Sequence, residues 1–274
     1  MSLSLSLSLS LGCAERGAES RETNYLYQPT PEATDFSFAN PGFGGDEGEE
    51  VWARLQVMSG LAEIPAFGLK VNETVSVLRM RLRPDGEGWI AEEESCLTEI
   101  RRPDVPSVET TIPEAFIRSI PIESRALISE GDAVRFAYLV TVHGARLRDP
   151  ERDPLPAKLD DPRIYDQDGD QAPGITIRSE GILEGEMHLV QRLKTRLSGR
   201  RSGDRIEGTL EWSSEESILW GSNPILESPI PQVPNADASL SYFVALKIEP
   251  SWGCEEILQQ RETLFWTPEG LTGG

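Results

Sequence analysis

Thr74-Val-Ser-Val-Leu-Arg-Met-Arg-Leu-Arg83, followed by Pro84-Asp-Gly-Glu-Gly88 and Trp89-Ile-Ala-Glu-Glu-Glu94, decides the fold class. Apolar and polar residues alternate on both sides of an Asp-Gly turn, and a period of two sends successive side chains to opposite faces of a strand. Asp-Gly between two such runs signals a hairpin, because both residues tolerate the positive φ of a tight turn.

The same style extends in both directions. Val51-Trp-Ala-Arg-Leu-Gln-Val-Met58 alternates, and Ala133-Val-Arg-Phe-Ala-Tyr-Leu-Val-Thr-Val142 is rich in β-branched and aromatic residues. Gly174–Ser179, Gly185–Leu197 and Arg205–Trp212 form a meander with Gly-rich turns, Ser202-Gly-Asp204 closing its second pair, and Ser239–Ile248 adds another strand. Helix is scarce. Ile112–Ile120 has Pro113 where a first helical position tolerates it, and Glu255–Phe265 can place Ile257, Leu258 and Leu264 on one face. The expected fold is therefore all-β and mainly antiparallel, a lipocalin-like barrel or a β-sandwich with one or two short helices. The meander, which needs no crossover, favours the barrel. Glu93-Glu-Ser-Cys-Leu97 echoes Glu215-Glu-Ser-Ile-Leu219; this fits either two half-repeats, about 51–143 and 174–266, or chance likeness between amphipathic strands.

The N-terminus reads differently. Met1-Ser-Leu-Ser-Leu-Ser-Leu-Ser-Leu-Ser-Leu-Gly-Cys13 contains an apolar run too short for a membrane-spanning helix, which needs about 20 residues. It has the size of a signal-peptide core. Leu9-Ser-Leu-Gly-Cys13 resembles the lipobox of bacterial lipoproteins, in which the cysteine is acylated and becomes the new N-terminus. Ser10 stands where that family usually has Leu, and no Lys or Arg precedes the run. The resemblance implies a signal peptide over 1–12, lipid on Cys13, a flexible tether over 13–50 and a β-rich domain over 51–274. Ala14 after the cysteine points, by the same resemblance, to the outer membrane. The competing reading takes the Ser/Leu alternation as a strand and Cys13 as an ordinary cysteine. Pro162–Ile177 with the Gln191-Arg192 strand also resembles a group of uncharacterised lipoproteins of myxobacteria-like bacteria.

With Cys13 assigned to lipid, Cys96 and Cys254 remain, and an exported location favours a disulfide between them over two free thiols. A bridge closing so long a loop contributes about 4 to 5 kcal/mol in chain-entropy models. The 46 Asp and Glu against 26 Lys and Arg give a formal net charge of −20, which repels phosphate backbones and makes nucleic acid a poor partner.

Asp166-Gln-Asp168-Gly-Asp170 is the sharpest local signal. Alternate Asp residues can aim three carboxylates at one hard cation such as Ca²⁺, and the run resembles the start of an EF-hand loop. Gln171 replaces the turn glycine and Ile177 stands where that loop has its bidentate Glu, leaving a structural Ca²⁺ site of another kind or a solvated acidic turn. His143 and His188 are the only histidines, too few for imidazole-based zinc sites. Carboxylate pairs such as Glu93 and Glu94 suit a secreted hydrolase. Trp52, Trp89, Trp212, Trp220, Trp252 and Trp266 suit either an interior that binds an apolar ligand or ordinary core packing. The function expected is thus an envelope-anchored, noncatalytic lipoprotein that binds an apolar ligand or another envelope protein, with a carboxylate hydrolase as the alternative.

Overall fold

The computed structural model describes residues 48–265, apart from 65–66, 87, 106–107, 182–183 and 229. Cys13, the Ser/Leu run, the segment up to residue 47 and Trp266 lie outside the described residues. Eleven strands form one sheet: β1 (Glu50–Ile64), β2 (Gly68–Asp85), β3 (Gly88–Arg101), β4 (Val108–Thr111), β5 (Glu123–Glu130), β6 (Ala133–His143), β7 (Ile175–Gly181), β8 (Gly185–Ser202), β9 (Arg205–Gly221), β10 (Gln232–Pro234) and β11 (Tyr242–Lys247). The helices are short: α1 (Glu114–Ser119), α2 (Cys254–Gln259), α3 (Arg261–Phe265) and a 3₁₀ turn at Ala238–Leu240. The protein is all-β, and every pairing between named strands is antiparallel.

The pairings run β1–β2–β3–β5–β6–β8–β9–β11 and back to β1, closing a ring. Five long strands extend past this circuit. There β4 and β7 span from β3 to β8 in place of β5 and β6, and β10 takes over from β11 along β1. Segments 51–143 and 174–265 both contribute strands to this one sheet. The Asp-Gly hairpin forms as its sequence requires, with Asp85 opposite Gly88 and Gly86 at φ +62°. Glu50, placed in the tether by the sequence reading, instead begins β1: its buried carboxylate takes Arg201 at 2.9 Å and Lys247 at 3.1 Å.

Of four apolar clusters among the described residues, the two largest brace the ring from inside and outside. Inside one end, Trp52, Leu82, Leu127, Phe136, Leu197 and Phe243 form a plug. Outside, Ala53, Leu55, Val57 and Val77 pack beneath Ile257 and Phe265 of α2 and α3. The alternation of β1 places its two sets of side chains on opposite faces of the ring wall. Its apolar set faces outward under the helices, while Arg54 and Gln56 face the interior. A register shift between Val77 and Leu78 leaves Cys96 as the extra residue on β3, between Ser95 and Leu97. Cys96 and Cys254 meet at disulfide distance, with Cα atoms 5.1 Å apart at a sequence separation of 158. The bridge ties α2 to the ring wall. Elsewhere the outward positions carry charge, as in Arg79 with Glu94 and Arg83 with Glu92. Among the described residues no helix is long and apolar enough to cross a membrane.

Candidate functional site

Above the apolar plug the ring opens into a cavity of about 200 Å³. Its floor is ionic. Arg54 on β1, Glu93 on β3 and Arg125 on β5 are 0%, 4% and 6% exposed, so their charges are out of water. Arg54 donates through Nη1 to Glu93 Oε1 at 2.5 Å and through Nη2 to Oε2 at 3.0 Å. Arg125 donates through Nε to Oε1 at 2.9 Å and through Nη2 to Oε2 at 2.6 Å. Both guanidiniums lie near the Phe136 ring, at 5.9 and 5.6 Å from its centroid. Burial works to raise the pKa of Glu93, but the charges of Arg125 and Arg54 outweigh it and hold the carboxyl down at about 2. Two cations share one hydrogen-bonded anion, and Glu123, in register with Glu93, is a second acid that Arg125 attracts.

The walls alternate polar and apolar residues. One layer above the floor, Ser76 and Thr98 share a hydrogen bond of 3.2 Å beside Gln56. Across the ring, Trp212 is fixed by its Nε1 donating to Ser241 Oγ at 3.1 Å. Gly60 leaves room for that ring, since a Cβ there would meet Trp212 at 2.8 Å. Farther up, Gln191 donates to Glu216 at 2.9 Å and Arg102 donates to Thr110 Oγ1. Burial raises the Glu216 pKa against the pull of Gln191 and Arg102. The upper wall is mainly apolar, with Ile100, Ile175, Ile177 and Leu189.

Several buried polar atoms lining this cavity have no hydrogen-bond partner among the described residues: Arg54 Nε, Gln56 Oε1, both side-chain polar atoms of Asn72, Arg102 Nε and His143 Nδ1. Each costs about 1–3 kcal/mol if left unmet. Such groups are normally satisfied, and their convergence on one cavity marks it as the candidate site.

The sequence candidates divide. Glu93 and Glu94 do not converge: as strand neighbours they face opposite ways, Glu93 to the floor and Glu94 outward to Arg79 at 3.7 Å. Glu93 does stand in register with Glu123 on β5, and both line the cavity. Both Glu93 oxygens already accept from guanidinium groups, which takes them away from nucleophilic or proton-transfer work. His143 is buried against the edge of Phe116, ring centroids 5.2 Å apart, and burial pushes its pKa down to about 4. His188 packs on Trp220 and shares a hydrogen bond of 3.1 Å with Glu186. Of the tryptophans, Trp212 lines the cavity, Trp52 belongs to the plug, Trp252 packs under the helices and Trp220 is exposed.

Asp166, Asp168 and Asp170 do come together, each offering an oxygen within 4.8 Å of the others, a group that could hold a metal ion. The loop is also braced from within. Asp166 accepts from the backbone N–H groups of Gly169, Asp170 and Gln171, while Asp168 and Asp170 accept from Thr176 and Ala172. Asp168 Oδ1 alone has no partner. Burial and the two neighbouring carboxylates raise the Asp168 pKa. Gln171, at φ +73°, adopts the left-handed conformation that favours the glycine it replaces.

Arg54 and Arg125 were not among the sequence candidates, although Arg54 sits in mid-strand between Trp52 and Gln56, where an inward guanidinium needs a buried acid. Compared with protein-family models, curated proteins and solved structures, the chain matches none.

Proposed function

We propose that this protein is an envelope-anchored lipoprotein, lipidated on Cys13 and held at the outer membrane, whose ring encloses a small amphipathic ligand without transforming it. The observation that carries the binding reading is the convergence of unpartnered buried polar atoms, beside apolar walls, on one cavity of about 200 Å³. Binding sites of this kind are mostly apolar with a few placed polar groups. The volume somewhat exceeds the roughly 150 Å³ of an engineered cavity that takes up benzene, which sets the ligand's size. The lipobox resemblance supports the anchoring. The occupied oxygens of Glu93 favour binding over hydrolysis.

Native mass spectrometry of the full-length protein, released gently from membranes, tests the binding reading. We expect a noncovalent mass of small-molecule size, absent from Leu193→Trp, which fills the cavity. A protein carrying only water, and acquiring nothing from a panel of small amphiphiles, contradicts it.

A second reading concerns the Asp-rich loop, where we propose that Asp166, Asp168 and Asp170 hold a structural Ca²⁺. The partnerless Asp168 Oδ1 and the repulsion among three converging carboxylates support it. Hard oxygen donors suit this ion.

A further inference from the structure

The charge on the cavity floor specifies the ligand further, on the footing of the binding reading above. Arg54 and Arg125 spend four donors on the two oxygens of Glu93. A guanidinium carries five N–H donors, so each retains capacity. Arg54 Nε has no acceptor among the described residues, and Arg54 is fully buried. The next acceptor for Arg125 is Thr195 Oγ1, at 3.4 Å from Nη1. Glu123, the other acid lining this part of the cavity, is repelled by Glu93 across the strand pair and attracted by Arg125, but it hydrogen-bonds neither guanidinium among the described residues. No negatively charged acceptor among the described residues hydrogen-bonds these spare donors. Beside the polar Gln56, Ser76 and Thr98, the lining also carries the apolar Leu78, Leu139, Leu193 and Trp212.

We propose that the ring binds a small monocarboxylate with an apolar body: the carboxylate accepts from the spare donors of Arg54 and Arg125, and the body lies along Leu193 and Trp212. Carboxylate on guanidinium is a charge-assisted pairing, stronger than a neutral hydrogen bond. Such a pairing distinguishes an acid from the matching alcohol.

Calorimetric titration of the full-length protein with octanoate, octan-1-ol and octylamine tests this. Octanoate is expected to bind one to one and at least tenfold more tightly than octan-1-ol, with no binding of octylamine. In the combined variant Arg54→Met, Glu93→Met, Arg125→Met, which leaves no unpaired charge from the trio, the octanoate advantage should vanish while octan-1-ol still binds. The wild-type comparison decides the matter even if that variant does not fold. Octan-1-ol or octylamine binding as tightly as octanoate overturns the carboxylate assignment and leaves the binding reading standing. Failure of all three to bind removes the binding reading itself.

Discussion

Glu93→Gln is the perturbation on which the interior architecture can be judged. The substitution preserves shape but removes the one negative charge between Arg54 and Arg125, which donate four hydrogen bonds to it from positions 0% and 6% exposed. Breaking a buried ion pair from one side costs about 3–5 kcal/mol, because the stranded charge cannot be rehydrated. Here two cations are stranded, so the upper half of that range applies. For a domain of this size about 1 kcal/mol corresponds to about 2–4 °C of melting temperature, so the variant should melt roughly 8–20 °C lower. Glu94→Gln is the internal control. It lies one residue away, faces outward and pairs loosely with Arg79 at 3.7 Å with its side chain 44% exposed, so its loss should stay within about 0.5 kcal/mol. Urea denaturation followed by tryptophan fluorescence, under oxidising conditions that keep the disulfide, measures both. A loss below about 1 kcal/mol for Glu93→Gln, or equal losses for the two variants, would refute the placement of Glu93 between the guanidiniums.

Four further outcomes are expected. Reducing Cys96–Cys254, which closes a loop of 158 residues, should destabilise the protein by about 4 to 5 kcal/mol, read by denaturant titration with and without reductant; mass analysis finding two free thiols in native protein contradicts the pairing. His143, whose pKa burial holds near 4, takes up its proton only on unfolding as pH falls below about 6.5, so stability should drop by about 2 kcal/mol between pH 7 and pH 5 and this increment should be missing in His143→Gln. Ca²⁺ at 100 times its dissociation constant should stabilise by about 2.7 kcal/mol over chelator, and an unchanged melt that Asp168→Ala does not alter ends the calcium proposal. Cys13→Ser should move the protein from the membrane to the soluble fraction, and continued membrane association would show that the lipobox reading is wrong.

Strand content, the Asp-Gly hairpin and the pairing of Cys96 with Cys254 were legible because each is a local pattern or a count. Alternation fixes that two faces exist without fixing which one turns inward. On β1 the apolar Ala53, Leu55 and Val57 lie outside the ring, where α2 and α3, distant in sequence, cover them. Arg54 and Gln56, on the opposite face of the strand, line the cavity. The trio was out of reach of sequence reasoning, since Arg54, Glu93 and Arg125 stand 39 and 32 residues apart and meet only through the registers of β1–β2–β3–β5. Glu93 was noticed, but with Glu94, the neighbour that a strand sends the opposite way. The Asp loop was legible because its residues are close in sequence. What its sequence hid was that Gln171 takes the left-handed turn without a glycine.

Methyl-resolved NMR of the full-length protein during titration with octanoate tests the central claim, that the ring's interior is a binding site, most directly. Saturable shifts at the inward Met58, Ile100, Ile177 and Leu193, with the exposed Leu69, Ile128 and Val233 unmoved, are the predicted result. Shifts at the exposed methyls with the interior silent would contradict it.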